Sequence, residues 1–213
     1  MNASVDRPSV DLVTVSREVG AGGSELAEAL GRELGWPVLD RDIAHRVAGR
    51  LALEDATVER LDEHPPTWLA RIANALLLAP PEAPIGIETT RILDPDAVAR
   101  TVDRVIADAA KQPPLVIVGH GGQLMFADRP GSVHVRLVAP AASRIARLRA
   151  RYGWDEPRAV AELERTDRDR LAYVQRYHHR DVRDPQLYDL VINTGRTGIA
   201  AAVALIAARV RGS

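Results

Sequence analysis

Ser16-Arg17-Glu18-Val19-Gly20-Ala21-Gly22-Gly23-Ser24 is the stretch of this chain best suited to chemistry. Its glycines let several backbone N–H groups converge on one anion, and a helix starting behind them would add a partial positive charge. Phosphate is the anion such a turn suits. A Walker A loop reads G-x-x-x-x-G-K-[ST]. With the last loop glycine on Gly22, Arg17 takes the place of the first glycine, Gly23 that of the lysine and Ser24 that of the Ser/Thr. Lys111 is the only lysine of the 213 residues, so phosphate-neutralising side chains are expected to be arginines. Between residues 136 and 183 twelve arginines stand against seven acids, a local balance of +5 in a chain of net charge −1. A solvated face with i,i+4 pairs accounts for part of this, with Arg144, Arg149, Arg158 and Arg183 as its candidates. Thr166-Asp167-Arg168-Asp169-Arg170 is denser. There Arg165 and Arg168 share one helical face, as do Asp167 and Arg170. Guanidinium forks suit bidentate phosphate recognition, and neighbouring carboxylates hold them in place. His178-His179 with Asp181 offers metal-ligand chemistry, but adjacent side chains on a helix diverge, and exposed histidines are the favoured reading. His45 reads as a packing or surface group.

The elements that position these residues follow from periodicity. Leu12 to Val15 is an apolar strand, and Leu26, Ala27, Leu30 and Leu34 mark a helix up to Gly35. Pro37 to Asp40 is a second short strand, after which Asp40 or Asp42 caps a helix to about Leu51. Residues 52–92 hold Pro65, Pro66, Pro80, Pro81 and Pro84 around the apolar helix Trp68 to Leu78, and read as a helical insertion. Asp94 caps the next helix, with Pro95 at its first position, ending near Lys111. Leu115 to Val118 is a continuous apolar run and hence a buried parallel strand, terminated by Gly119-His120-Gly121-Gly122. Val133 to Val138 is a further strand. A helix from Ser143 to Tyr152 follows, opened by Pro140, and a long one from Pro157 to about His178. Tyr188 to Ile192 is the last strand, and Thr197 caps a terminal helix bearing Ile199, Val203, Ile206 and Val210. Strands alternating with helices predict an α/β fold with a parallel sheet of about five strands. Ligands in such a sheet bind at the carboxyl ends of the strands. Lys111, which precedes its strand, lies at the opposite edge.

Length favours one domain, 1–213, carrying the insertion at about 52–92. The absence of cysteine excludes disulfides, thiolate metal sites and cysteine nucleophiles. A near-neutral charge gives no field to recruit nucleic acid or anionic lipid. With no apolar run near 18 residues and no signal-peptide pattern at Met1-Asn2-Ala3-Ser4, the expectation is a soluble cytoplasmic protein, with no nucleic-acid or membrane partner. The Trp68 to Leu78 face is a candidate packing or homo-oligomer surface.

Five segments, in order, resemble the cytidylate kinase-like family, divergent relatives of bacterial cytidylate kinase among the P-loop nucleoside monophosphate kinases. Ser16-Arg17-Glu18 with Gly20-Ala21-Gly22-Gly23 is similar to its S-R-E-x-G-S-G-G opening. Trp36 to Asp40 with Ile43-Ala44-His45-Arg46 is similar to an L-L-D-x-G-x-x-Y-R stretch. Val116 to Gly121 is similar to V-I-V-G-R-G, with His120 in place of the arginine. Thr166 to Arg170 is similar to D-D-R-D-R, and Asp184-Pro185 with Tyr188 to Thr194 to the closing strand. The resemblance implies a P-loop NTPase-type three-layer fold, an Arg-rich helical lid at about 141–160, and ATP and Mg²⁺ as cofactors. It further implies a donor-phosphate cradle of Gly20, Ala21, Gly22, Gly23 and Ser24, with Ser24 as a weak Mg²⁺ ligand. Arg46 and Arg168 would contact the acceptor phosphate, with Asp40, His120 and Asp169 beside it, Asp169 near a pyrimidine or orienting an arginine. Arg147 and Arg151 would close over the transferred group, and Arg17 would stand in for the missing lysine. The activity implied is ATP-dependent phosphoryl transfer to a nucleoside monophosphate, CMP or dCMP first. The alternatives are a nucleotide-binding regulatory protein with a degenerate loop, or a kinase of another small acceptor.

Overall fold

A computed structural model describes residues 9–40 and 95–212, with the backbone alone for 95–101. Two compact units are present, 1–38 with 113–213 and 39–112. The expected helix to Leu51, Arg46, the 52–92 insertion, its 68–78 helix and the Asp94 cap lie outside the described residues.

Strand β1 (Leu12–Arg17) runs into helix α1 (Gly23–Leu34), and β2 (Val38–Leu39) follows. Helix α2 (Pro95–Ala109) belongs to the second unit, where Val102, Val105 and Ile106 are buried. Then come β3 (Leu115–Val118), the short helix α3 (Gly122–Met125) and β4 (Ser132–Val138). Helices α4 (Ala141–Tyr152) and α5 (Glu156–His178) form a hairpin. Strand β5 (Leu190–Asn193), the four-residue α6 (Thr194–Thr197) and α7 (Ile199–Arg211) complete the chain.

The sheet has the order β2-β3-β1-β4-β5. β1 pairs in parallel with β3 and β4, and β4 with β5, with Val15 opposite Val118 and Val135. The expected three-layer α/β arrangement with five strands is what the chain forms. Val13, Val15, Val116, Val118, Val133, Val135 and Leu137 pack with Leu26 and Leu30 of α1 and with Ala202 and Ile206 of α7. These valines make strands legible and stiff at once: β-branched residues fit a pleated surface buried on both sides.

Boundaries differ where local chemistry intervenes. Helix α5 begins one residue before Pro157, because Asp155 caps it by accepting from the Arg158 N–H. The last strand starts at Leu190 rather than Tyr188. Asp184 accepts from the Gln186 N–H and opens a 3₁₀ turn, Pro185–Leu187, whose cap is Tyr188, so pairing with β4 begins only at Leu190. Thr197 is not the cap of the terminal helix. Asn193 caps α6, and Gly198, at φ 77°, breaks it from α7. Among the described residues no helix is long and apolar enough to cross a membrane.

The second sheet face carries buried polar groups beside Leu12, Leu115 and Ile117. Thr14, Ser16, His134 and Arg136 are all buried on it. Thr14 Oγ1 and His134 Nδ1 lie 2.8 Å apart, and the His134 N–H donates to Asp189 over 2.7 Å. Burial pushes the His134 pKa below its ordinary value, outweighing the Asp189 charge that raises it. The unfolded chain therefore takes up this proton first, at about pH 6.5. The stability contributed is present above that pH and lost as pH falls through the lower folded value. The melting temperature is expected to drop between pH 7.5 and 5, with a shallower drop in His134→Gln. Equal acid slopes in the two proteins would assign the loss to other groups.

Candidate phosphate-binding site

Strand β1 delivers the chain to a turn, residues 18–22, that leads into α1. The turn is pinned from behind. The Glu18 N–H donates to Leu137 O, and the Glu18 carboxylate accepts from the Ala139 N–H over 3.1 Å, with Arg144 Nε 3.6 Å away. Its outward carbonyls are each taken by a side chain. Arg17 O accepts from Arg170 Nη1 (3.1 Å), Val19 O from Arg144 Nη1 (3.3 Å), Gly20 O from Arg147 Nη1 (3.4 Å) and Ala21 O from Thr194 Oγ1 (2.8 Å). The Val19 N–H donates to Asp167 over 2.9 Å, and that carboxylate is gripped by Arg144. Among the described residues the N–H groups of Gly20, Gly22, Gly23 and Ser24 make no hydrogen bond. Carbonyls bound by side chains and amides without a protein partner, at the N-terminus of a twelve-residue helix, are what a candidate oxyanion cradle requires. Gly22 makes the bend possible at φ 82°, a left-handed conformation that a side chain resists.

Arg17 crosses from this cradle to the end of β3. A Cβ on Gly23 would stand 2.7 Å from Arg17 Cγ, and one on Gly119 would run into its Nη1 and lie 3.1 Å from its Cζ. The stem thus lies on bare Gly23 and the guanidinium beside bare Gly119. The turn after β3 holds Gly119, His120 and Gly121 all at positive φ, His120 at 56°. A non-glycine residue in that region is a strained conformation that surrounding structure must hold in place. The His178 ring packs over Gly121, where a Cβ would lie 2.5 Å from its Nε2. Burial lowers the His178 pKa, and the neighbouring His179 adds to that.

The arginines separate by role. Arg144, expected on a solvated face, is 8% exposed and holds the loop. Arg147 also donates to Thr194 Oγ1 (3.1 Å) and Thr194 O (3.2 Å). Arg151 lies over the Tyr152 ring, Tyr152 stacks on Trp154 at 4.5 Å, and Arg158 covers Trp154 at 4.9 Å. Leu148, Ala159 and Leu163 form a small core inside the hairpin, and Val19 of the turn packs against it. Arg165 pairs with Glu162 (2.7 Å) and Asp169 (3.1 Å) on the exposed side of α5, where Arg168 is exposed too. Arg149 pairs with Glu156 and Arg183 with Asp181, both on the surface. Arg183 draws the Asp181 carboxyl down to about 2. Lys111 is exposed against Asp108. Asp40 follows β2 and is half-buried.

Sequence reasoning named Arg136, Thr194, Ser16 and Tyr188 within longer stretches and gave none of them a role of its own. Arg136 is buried, donates to Ser16 Oγ over 3.3 Å and lies 5.8 Å from the Tyr188 ring centre. The one available signal was a guanidinium two residues after His134, at the alternating polar positions of β4. Burial pushes the Tyr188 phenol up, against the opposing pull of Ser16 and Arg136.

Among the described residues no cluster of three or more His, Asp or Glu could hold a metal ion. A cation here would have phosphate oxygens as its main ligands and the Ser24 hydroxyl as protein contact. That donor set fits Mg²⁺ carried on a nucleotide.

The cytidylate kinase-like family matches residues 12–196. A cytidylate kinase of Ignicoccus hospitalis is 27% identical over 92% of this chain and 96% of its own length. A uronate isomerase of Corynebacterium glutamicum is 31% identical over 46% of this chain, which spans only 18% of that protein. Among solved structures, an uncharacterized protein from Eubacterium ventriosum superposes with a TM-score of 0.69 at 18% identity, covering 95% of this chain and 99% of its own. A gluconokinase from Sinorhizobium meliloti does so with a TM-score of 0.56 at 18% identity, covering 97% and 96%.

Proposed function

The chain belongs to the cytidylate kinase-like family, and from there we propose that it moves the γ-phosphoryl group of ATP onto the phosphate of a nucleoside monophosphate, CMP or dCMP. The observation that carries the reading is the turn at 18–24. Its carbonyls are bound by side chains, and its Gly20, Gly22, Gly23 and Ser24 amides have no protein partner among the described residues. Such preset amides stabilise charge developing on a transferring phosphoryl group without reorganising when it moves. Mg²⁺ bound with ATP would neutralise charge on the phosphate oxygens.

In the transfer, an oxygen of the acceptor phosphate forms a bond to the γ-phosphorus, and the bond from that phosphorus to the bridging oxygen breaks. ADP leaves with the electron pair. The chain's part is alignment and charge. Gly20 to Ser24 hold the donor phosphates. Arg17 extends from the loop toward the carboxyl end of β3, on the path between donor and acceptor, and Arg147 stands in the loop wall. Arg46 and Arg168 take the acceptor phosphate, with Asp40, His120 and Asp169 beside it, and Arg151 serves from the hairpin turn.

A coupled assay with ATP, Mg²⁺ and a panel of nucleoside monophosphates tests this. Turnover fastest with CMP or dCMP is the expected result. ATP binding without turnover on any acceptor would favour a regulatory nucleotide-binding protein. Arg168→Lys is expected to lose about 1.5–3 kcal/mol of monophosphate binding, since lysine cannot form the bidentate fork. ATP affinity should hold. Titration calorimetry showing equal losses for both nucleotides would give Arg168 a structural role.

A further inference from the structure

Asp167 and Arg170 sit three residues apart on α5, so both face one way, and both end on the same short piece of the donor loop. Asp167 accepts the Val19 N–H at 2.9 Å and Arg170 donates to Arg17 O at 3.1 Å. Their neighbours Arg168 and Asp169 are exposed. Arg144 of α4 binds Asp167 and the Val19 carbonyl together, and Arg147 binds the next carbonyl, that of Gly20. The hairpin is itself closed by its small apolar core and by the Tyr152–Trp154 stack.

We infer that Asp167 and Arg170 are positioning residues for phosphoryl transfer, which lock the donor loop from the inner face of α5. The inference rests on the donor-loop reading above. A turn with two residues at positive φ has many competing conformations. Four amides converge on one point only if the peptide planes on either side are locked. Each carbonyl that a guanidinium holds back is a dipole whose negative end is kept off the phosphate. At Val19 the carbonyl is held by Arg144, and Asp167 locks the same residue by accepting its N–H and binding Arg144. Arg170 does it at the exit of β1, fixing the peptide from which the Arg17 side chain departs. One turn of α5 therefore sets both the loop and the root of Arg17, while its outer side carries Arg168.

The test compares Asp167→Ala, Arg170→Ala and Arg170→Lys with Arg165→Ala, which removes an exposed network on the same helix. Amide hydrogen exchange of the ligand-free proteins reads the loop directly. Calorimetry with ATP and with CMP, separately, reads the two sites. In Asp167→Ala and Arg170→Ala, exchange at Glu18, Val19 and Ala21, the hydrogen-bonded amides of the turn, should speed up, and ATP affinity should fall by on the order of tenfold. CMP affinity should stay within about twofold, because the lock acts on the donor side. Arg170→Lys should recover most of the loss, since one donor to Arg17 O suffices, and Arg165→Ala should match wild type in loop exchange and ATP affinity. A merely structural role would lower both affinities together with the melting temperature, and that outcome overturns the inference. So does faster loop exchange with unchanged ATP affinity. Wild-type protein that binds no ATP would overturn the donor-loop reading and this inference with it. Wild-type protein that binds ATP, with both alanine variants binding it equally well, would overturn this inference alone.

Discussion

Arg17→Ala is expected to turn over at least about 10²-fold more slowly than wild type, the usual effect of removing a charge aimed at the transition state. Its melting temperature should barely move. The side chain begins at the carboxyl end of β1, lies along Gly23 and ends at Gly119, so it spans the space between the donor cradle and the end of the neighbouring strand. The rival assignment is a structural arginine paired with Glu18 or Glu25. Glu18 is already committed to the Ala139 N–H and lies beside Arg144. A surface ion pair contributes under about 1 kcal/mol in any case. Lys111→Ala is the control: among the described residues its ammonium meets exposed Asp108 alone, and neither rate nor stability should change. Steady-state kinetics alongside thermal melts decide between the two. Full activity in Arg17→Ala would end the substitution idea and leave the chain as a binder of nucleotides.

Gly22→Val is expected to abolish ATP binding, weakening it by more than about 10²-fold, because the cradle depends on amide positions and not on a side chain. Sequence reasoning anticipates loss of binding with the fold intact. The structure adds a stability loss. Gly22 sits at φ 82°, where a β-branched residue is strained by about 1–3 kcal/mol. A Cβ there would meet Ile199 Cδ1 at 2.6 Å, and Ile199 packs on the main core. The two effects separate by measuring ATP affinity well below the melting temperature of the variant. Wild-type affinity under those conditions would remove the loop from the account.

The frame of this fold was readable because parallel strands buried on both faces appear as unbroken apolar runs: Leu115 to Val118 could be little else. β4 was harder, since His134 and Arg136 interrupt it, yet the same interruption marks the side of the sheet that carries buried polar groups. Short elements escaped. α3 and the 3₁₀ turn at Pro185 depend on one glycine at positive φ and one Asx cap, which carry no periodicity. The site was readable in its glycines and unreadable in its fastenings. Arg144 and Arg149 look alike at helical spacing, yet one is buried on the loop and the other pairs with Glu156 at the surface. Which arginine turns inward is decided by where α4 meets residues 18–20, more than a hundred positions earlier in the chain. Asp167 and Arg170 did show a shared face, but nothing local could name Val19 and Arg17 as what that face touches.

Arg17 and Gly23 occupy, in exchanged order, the two places where a Walker A loop has glycine and lysine. The exchange is forced by volume. Any side chain at position 23 begins with a Cβ 2.7 Å from Arg17 Cγ and 3.2 Å from its Cδ. Those are atoms near the root of the arginine, and a rotation at its tip cannot clear them. A lysine grafted at 23 would therefore evict Arg17 from its course to Gly119 instead of adding a second cation. The cationic group of this loop can enter from the strand or from the helix, one at a time. A route from one arrangement to the other passes either through a loop with neither charge or through one whose two side chains collide.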